Sequence, residues 1–340
     1  MINKEEVFVN EKYWKSMNTE ELNAFAEKIF QYYRQNGFPY QSTDMVVRQK
    51  DFDQLKKYDY KCLLNADVVG QTMHGLGLAW SYFPHAYDVS CNGLMSPYDA
   101  FMNDEMFKSV IRKRLKYGTY ISDSGILKTL RISTGVQGVS NFRPTAAACI
   151  YSLYAPNGVV WDMSGGWGGR MLGAIVAGVD TYICTEPSTK TAIGLLILSD
   201  QFGGKMESHI YVQGSEVFQP IKESLDLCFT SPPYFDLEKY SDQSTQSFIK
   251  FKTKQEWIEG FLQPTIENAY NGLKQGKYLL LNIADPKGKS NLSLEQEAVN
   301  YAQKIGFKYE GFLKLALSNV TMSSDREKYK YEPIFKFKKV

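Results

Sequence analysis

The sequence has few residues of the kinds that bind metals or form disulfide frameworks. Its 340 residues include three histidines and five cysteines, and no two cysteines form a Cys-x-x-Cys pair. This scarcity argues against a zinc site and against disulfide cross-links, so we expect no metal and reduced, mostly buried thiols. The histidines are His74, His85 and His209, and the cysteines are Cys62, Cys91, Cys149, Cys184 and Cys228.

Long hydrophobic runs are also missing. No apolar stretch approaches the roughly 18 residues needed to span a bilayer, and the polar start Met1-Ile-Asn-Lys-Glu-Glu is unlike a secretion leader. We therefore expect a soluble, cytoplasmic globular protein with no membrane partner. The 44% hydrophobic content suffices for one large domain or two ordinary ones.

The sequence has no strong excess of either charge. The net charge of +2 neither requires nor excludes a nucleic-acid partner. A basic run, Arg112-Lys-Arg-Leu-Lys116, could neutralise phosphates, but cations near a helix end also complement the helix dipole, and we favour that second interpretation.

The first 140 residues are expected to be mainly helical. Asn18 and Glu21 have the spacing of a capping box, and apolar residues at helical spacing follow as far as Gly37. A second helix is predicted over residues 97–117. The aromatic stretch at residues 79–98 is either a packed loop or a recognition surface.

After residue 141 the pattern changes to short apolar strands alternating with helices, which predicts an α/β domain with a mostly parallel sheet. A predicted strand at residues 158–161 leads into Asp162-Met-Ser-Gly-Gly-Trp-Gly-Gly-Arg170 and then a helix. Gly166 and Gly168 would allow positive φ and close approach to a ligand. The loop is neither a Walker motif nor a good dinucleotide fingerprint.

Further strands are predicted at residues 181–185, 209–212, 225–230 and 277–283, and a final hairpin at 307–317 and 331–338. Glu186 follows the second of these α/β strands, where an acidic residue can accept both hydroxyls of a ribose. Gly214-Ser215 closes the third strand, where an adenine could lie. Thr253 with Glu256, and Ser293 with Gln296, are predicted to cap two more helices, the first kinked by Pro264.

The fourth α/β strand ends in Ser231-Pro-Pro-Tyr-Phe235. Two consecutive prolines fix φ and remove N–H donors, so the carbonyls of Ser231 and Pro232 can point into a cleft. A rigid loop with a hydroxyl, free carbonyls and an aromatic ring suits a planar base with an exocyclic amine. By itself the tetrapeptide is equally consistent with a structural turn.

Together these motifs resemble the S-adenosylmethionine-dependent class I methyltransferases, and more narrowly the DNA amino methyltransferases. The resemblance rests on Phe142-Arg-Pro-Thr before the glycine loop, on the loop itself, on Ser231-Pro-Pro-Tyr234 and on the final strand, and it covers residues 141–340. It implies a Rossmann-like, seven-stranded, mostly parallel sheet with a C-terminal antiparallel hairpin. Residues 1–140 would form a separate, mainly helical region with a recognition or interaction role.

The resemblance implies methyl transfer from S-adenosylmethionine to cytosine N4, slightly favoured, or adenine N6, in a base flipped out of DNA. Ser231 and Pro232 would hold the amine, and Tyr234 and Phe235 would contact the base. The implied catalytic residues are Ser231, Pro232, Pro233 and Tyr234, and the implied cofactor-binding residues are Arg143, Asp162, Gly166, Gly168, Glu186 and Ser215.

This sequence departs from the family pattern at two points. Asp-Pro-Phe is replaced by Asp162-Met-Ser, and Ser215 stands where an acidic residue is usual. No recognition domain follows the last strand, so residues 1–140 or the insertion at 236–254 would have to recognise the target.

Other interpretations stay open. The chain could methylate RNA or another amine, or could keep the fold as a binding protein without catalysis. Structural roles are also open for four residues: Asp162 could cap the glycine loop, Glu186 could start a helix, Arg143 could form a salt bridge, and Trp167 could belong to the core or a lid.

Overall fold

The structure is a computed structural model that describes residues 2–233, 235, 238–285, 293–317 and 330–340. None of the helices in these ranges is long and apolar enough to cross a membrane. The fourteen α-helices of the described residues are α1 Glu11–Trp14, α2 Thr19–Asn36, α3 Met45–Lys57, α4 Leu76–Trp80, α5 Pro97–Met102, α6 Asp104–Tyr117, α7 Asp123–Arg131, α8 Pro144–Tyr154, α9 Gly169–Ala177, α10 Thr189–Phe202, α11 Ser247–Lys250, α12 Lys254–Trp257, α13 Gln263–Gly272 and α14 Leu294–Lys304.

The described strands form one large sheet and one two-stranded sheet. They are β1 Leu64–Asn65, β2 Val68–Val69, β3 Ser90–Cys91, β4 Val159–Asp162, β5 Thr181–Thr185, β6 Glu207–Tyr211, β7 Leu225–Thr230, β8 Glu238–Lys239, β9 Leu273–Asn282, β10 Phe307–Ala316 and β11 Tyr331–Lys339.

The described residues divide into two compact units. The first consists of Met1–Ser42, Pro84–Ser140 and Leu237–Lys239, and the second of Thr43–Phe83, Asn141–Asp236 and Tyr240–Val340. The predicted domains and these units share the boundary after residue 140, but residues 43–83 lie in the second unit.

The first unit is a helical bundle around an aromatic core. Its helix α2 begins as predicted: Asn18 Oδ1 accepts from the Glu21 N–H at 3.0 Å, and Glu21 Oε2 accepts from the Asn18 N–H at 2.8 Å. Buried Trp14 donates its indole N–H to the Leu115 carbonyl at 2.9 Å, which ties α1 to α6. The bundle therefore combines a local cap with long-range packing.

The predicted single helix over residues 97–117 is wrong in one respect, because α5 and α6 are separate. Asn103 lies between them with φ −82° and ψ 112°, which is extended backbone, and its side chain accepts from the Met106 N–H at 3.0 Å. Asparagine favours such a cap over a helix interior because its side chain competes for backbone N–H groups.

The large sheet of the second unit has the order β1-β2-β10-β11-β9-β7-β4-β5-β6. Strands β9, β7, β4, β5 and β6 are parallel, and β11 runs antiparallel between β9 and β10. Without β1 and β2, this is the predicted seven-stranded, mostly parallel sheet with an antiparallel hairpin. The short hairpin β1-β2 extends the sheet beside β10 and was not predicted.

Helices cover the sheet and bury its apolar strands. On one face, Trp161, Leu279 and Phe337 pack against α12, α13 and α14 in a cluster that includes Trp257. The predicted kink near Pro264 is a turn of π-helix, Ile258–Leu262, which directly precedes α13. Proline lacks the N–H of a regular helix, so a local change of helical hydrogen bonding at this point is expected.

Candidate active site

The carboxyl ends of β4, β5, β6 and β7 lie at one edge of the sheet, because these strands are parallel. The glycine loop follows β4, and the Ser231-Pro-Pro loop follows β7. Since β4 and β7 are neighbours, with Asp162 opposite Phe229, the two predicted motifs are adjacent. Strand β5 pairs with β4 on one side and β7 pairs with it on the other, so the order of the strands reverses at β4. Ligands of open α/β sheets bind at the carboxyl ends of the strands at such a point.

The glycine loop depends on backbone conformations that other residues adopt poorly. Gly166 has φ +57° and Gly168 has φ +73°, and Gly168 is the residue just before helix α9. A β-carbon at position 168 would lie 2.8 Å from Cε2 of Phe83, so a side chain is excluded by packing as well as by φ. The loop therefore delivers the N-terminus of α9, with its free N–H groups, to the sheet edge.

Asp162 is the centre of a buried network beneath this loop. Its Oδ2 accepts from Nε of Arg170 at 2.9 Å and from the Tyr182 hydroxyl at 2.6 Å, and its Oδ1 accepts from the Ser164 N–H at 3.2 Å. Arg170 also donates to the Ser164 carbonyl. Burial alone would lower the pKa of Arg170, but the Asp162 carboxylate more than offsets it and the net pKa is raised. The network joins both ends of the glycine loop.

Glu186 lies directly after β5 and is buried, with 8% of its surface exposed. One carboxylate oxygen accepts from the Gly166 N–H at 2.9 Å, and the other accepts from the Ser188 N–H at 2.9 Å. Burial raises the pKa of Glu186 to about 7, although the two backbone N–H groups act in the opposite direction. The structure thus brings Glu186 and the glycine loop together.

The residues after β6 form a second polar group. The Ser215 hydroxyl lies 2.8 Å from Thr265 Oγ1, so its bond is to helix α13. The next residue, Glu216, is the one that sequence reasoning missed. Its Oε1 lies 2.6 Å from Nζ of Lys250, whereas its buried Oε2 has no hydrogen-bond partner among the described residues. A β-carbon at position 214 would overlap Oε2, so glycine there leaves room for the carboxylate.

Arg143 precedes helix α8, and the chain just before it reaches the glycine loop. A β-carbon on Gly169, the first residue of α9, would overlap the Phe142 carbonyl oxygen. Asn141 donates its side-chain amide to the Trp167 carbonyl at 2.9 Å. Residues 141–143 are therefore adjacent to the loop that the sequence assigned to the cofactor.

Trp167 belongs to a buried aromatic cluster. Its ring centroid lies 6.2 Å from that of Trp80, 6.0 Å from that of Phe83 and 5.9 Å from that of Tyr240. Only 6% of Trp167 is exposed. The sequence favoured a core or lid role for Trp167 over a platform for a base, and the packing against Trp80 and Phe83 is that of a core residue.

The loop after β7 is only partly within the described residues. Ser231 and Pro233 are half-buried, Pro232 is buried, and Tyr234 lies outside the described residues. Phe235 has φ +53°, which is uncommon for a bulky residue, and its ring lies 6.4 Å from that of buried Trp257. Strained backbone of this kind clusters at active sites.

Comparison with known proteins gives a match over the last third of the chain. Residues 225–340, which begin at β7, match the sequence profile of a family described as a DNA methylase. They carry that family's sequence signature. This match agrees with the predicted resemblance to S-adenosylmethionine-dependent methyltransferases, and the sheet order confirms the predicted α/β fold.

No curated protein matches this chain by sequence. Solved structures that align with part of this chain include an S-adenosylmethionine-dependent O-methyltransferase from Thermotoga maritima, with 14% identity, 59% of this chain and 68% of that chain covered, and a TM-score of 0.39. TrmN from Thermus thermophilus has 14% identity, 58% and 49% coverage, and a TM-score of 0.39. At these scores the likenesses add nothing to the assignment of a substrate.

The residues present fit S-adenosylmethionine. The glycine loop and α9 offer free N–H groups, Glu186 offers a buried carboxylate to hydroxyls, and Glu216 Oε2 is a buried acceptor with no partner among the described residues. A ligand with ribose hydroxyls and an amine on its base would satisfy these groups. In place of a single acidic residue at position 215, this chain has Ser215 bonded to α13 and a carboxylate one position later.

Proposed function

We propose that this methyltransferase transfers the methyl group of S-adenosylmethionine to an exocyclic amine of a base in DNA, with cytosine N4 slightly favoured over adenine N6. The observation that carries the proposal is the position of Ser231-Pro232-Pro233 at the end of β7, beside the glycine loop at the end of β4. The match of residues 225–340 to a DNA methylase family supports it, because this region begins with the strand that presents Ser231.

The chemistry requires a poor nucleophile to be activated. The lone pair of an exocyclic amine is delocalised into the ring, and bound S-adenosylmethionine supplies an electrophilic methyl on a sulfonium. Ser231 Oγ and the Pro232 carbonyl can each accept an N–H of the amine. Two fixed acceptors hold the nitrogen toward tetrahedral geometry and localise its lone pair for attack.

The two prolines make these acceptors rigid. Neither Pro232 nor Pro233 has an N–H that could turn inward and compete with the amine, and both fix φ. Tyr234 would stack on the base, and Phe235, anchored against Trp257, would support the loop from below. A base in duplex DNA must leave the stack to reach this loop, at a cost of a few kcal/mol.

In the cofactor site, Glu186 would accept the ribose hydroxyls and Gly166 and Gly168 would admit the ligand close to the backbone. Asp162 acts on this site through Arg170, Tyr182 and the shape of the loop, since its described hydrogen bonds are all internal. Arg143 would contact the cofactor from the start of α8, and Ser215 would border the base through its backbone.

Transfer of labelled methyl to unmethylated genomic DNA tests the proposal, with total RNA as a parallel substrate. We expect label in DNA, recovered by nucleoside mass spectrometry as N4-methylcytosine or N6-methyladenine. Ser231→Ala should lower the rate on the order of 10²-fold, because one preorganised hydrogen bond is lost. Ser224→Ala is the matched control: Ser224 lies before β7, at its opposite end, and donates to the Ile221 carbonyl.

Label in RNA alone would contradict the DNA assignment. Equal rates for Ser231→Ala and Ser224→Ala would contradict the role of the loop. Absence of transfer to either nucleic acid, in a protein that binds S-adenosylhomocysteine, would exclude both substrates.

A further inference from the structure

Residues 240–251, here called the strap, follow the Ser231-Pro-Pro loop in sequence and contact the loops of the cofactor site. Tyr240 contacts Trp167 of the glycine loop, with ring centroids 5.9 Å apart. Further along, Thr245 donates its hydroxyl to the Pro187 carbonyl at 2.9 Å. The strap thus touches the segments after both β4 and β5.

Gln243 forms the most specific of these contacts. Its Oε1 accepts from the Thr189 N–H at 3.0 Å, and its Nε2 donates to Thr189 Oγ1 at 3.0 Å. Thr189 is the first residue of α10, three positions after Glu186. One amide therefore satisfies a free N–H at the start of α10 and fixes the turn that carries the Glu186 carboxylate.

The strap also reaches the segment after β6, through Lys250 and Glu216. The Glu216 side chain is 5% exposed and Lys250 is 33% exposed, so the pair is only partly in solvent. Lys250 occupies Oε1 and leaves Oε2 as a buried acceptor. Contacts to the ends of three strands distinguish the strap from a surface loop that touches one neighbour.

Two buried polar atoms, one in the strap and one on the partner of Lys250, are without a hydrogen bond in the described part of the chain. Glu216 Oε2 is an acceptor, Nε2 of Gln246 in the strap is a donor, and neither has a hydrogen-bond partner among the described residues. Gln246 as a whole is 4% exposed. Buried polar groups without partners are costly, and the strap that carries Gln246 contacts the loops after β4, β5 and β6, so a bound ligand can supply the missing partners.

We propose that the strap is the outer wall of the cofactor site, in which Gln243 and Lys250 are positioning residues and Gln246 donates a hydrogen bond to the bound cofactor. Gln243 fixes the turn between Glu186 and Thr189, and Lys250 holds the Glu216 carboxylate where it would face the adenine of the cofactor. The proposal rests on the use of S-adenosylmethionine and is independent of which nucleic acid is methylated.

Calorimetry with S-adenosylhomocysteine on the full chain tests this directly. We expect Gln243→Ala and Lys250→Met each to weaken binding at least fivefold, and Gln246→Ala to weaken it at least tenfold. Gln255→Ala and Lys252→Met are matched controls and should stay within twofold. The Gln255 side chain donates to Glu259 in the π-helical turn that follows α12, and the Lys252 side chain forms no ion pair among the described residues.

Gln243 and Lys250 lie at the surface, so their variants should fold even if Gln246→Ala does not. A second readout is trypsin cleavage at Lys250 and Lys252, which S-adenosylhomocysteine should slow in the wild type and not in Gln243→Ala. Wild-type affinity in both surface variants, or cleavage unaffected by the ligand, would overturn the proposal. If the variants weaken binding as expected but the wild type transfers no methyl group to DNA, the result would count against the DNA substrate and leave the role of the strap unchanged.

Discussion

The carboxylate of Glu186, just after β5, accepts a hydrogen bond at 2.9 Å from the N–H of Gly166, in the loop after β4. This contact joins an acidic side chain to the turn of the glycine loop that has positive φ. It means that the group expected to bind the ribose already holds the loop expected to admit the cofactor, and that both respond to the protonation of one carboxyl.

Glu186 should make stability depend on pH. Its pKa in the folded protein is raised from 4.5 to about 7, so its stabilising contribution is complete below pH 4.5 and is lost as the pH rises through 7. Between pH 5 and 8 the free energy of unfolding of the wild type should fall by up to about 3 kcal/mol relative to Glu186→Gln. Urea denaturation at both pH values measures this. Glu259→Gln, at an exposed site, should follow the wild type, and parallel pH profiles for Glu186→Gln and the wild type would exclude the effect.

The buried pair of Asp162 and Arg170 should be costly to break. Asp162→Asn leaves the Arg170 guanidinium buried without its counter-charge, and we expect a loss of about 3–5 kcal/mol in the free energy of unfolding. Lys308→Met removes an exposed pair with Glu310 and should cost less than about 1 kcal/mol. An Asp162→Asn protein as stable as Lys308→Met would show that the network does not hold the loop.

Gly168→Ala should be worse than its backbone conformation alone explains. Gly276 has a similar φ of +77° but open space where a β-carbon would lie, whereas Gly168 meets Phe83 at 2.8 Å. Gly276→Ala should therefore cost about 1 kcal/mol, and Gly168→Ala should cost more and also weaken S-adenosylhomocysteine binding. Equal losses of stability in the two variants, with unchanged S-adenosylhomocysteine binding, would show that contact with Phe83 does not require glycine at position 168.

Glu216 should accept a hydrogen bond from the exocyclic amine of the cofactor's adenine. The wild type should bind S-adenosylhomocysteine more than tenfold tighter than the inosine analogue, which carries a carbonyl in place of the amine. Glu216→Gln should narrow this ratio, because an amide can also donate to the carbonyl. Competition calorimetry with both ligands measures the ratio, and Glu207→Gln, in the exposed part of β6, is the control. An unchanged ratio in Glu216→Gln would assign the discrimination to other residues.

Local signals predicted the elements that place the site. Strands β5 and β7 have the predicted bounds, 181–185 and 225–230, because apolar runs of this length are closed by Glu186-Pro and by Ser231-Pro-Pro. The capping box of Asn18 and Glu21 likewise marked the start of α2. Strand β9 begins earlier than predicted, at Leu273, because Gln275 and Gly276 interrupt its apolar pattern while Leu273 already pairs with Leu225 of β7.

The place of residues 43–83 in the second unit was not predictable from local pattern. Arg48 is buried there because it donates to the side chain and carbonyl of Ser81, and its guanidinium lies 3.9 Å from the Tyr82 ring centroid. An arginine in a polar helix reads as exposed until its partners, 33 residues further on, are known.

The amino-acid sequence by itself determined the longer strands of the α/β sheet, the glycine turns, the caps and the proline loop, since each depends on the conformational preferences of a few neighbouring residues. The tertiary structure decided the order of the strands, the burial of Asp162 and Glu186, the packing of Trp167, and the contacts of Gln243 and Lys250. These depend on pairing between residues far apart in the chain. Burial and the supply of partners are properties of the packed fold, and they decide which polar groups are held internally and which remain for a ligand.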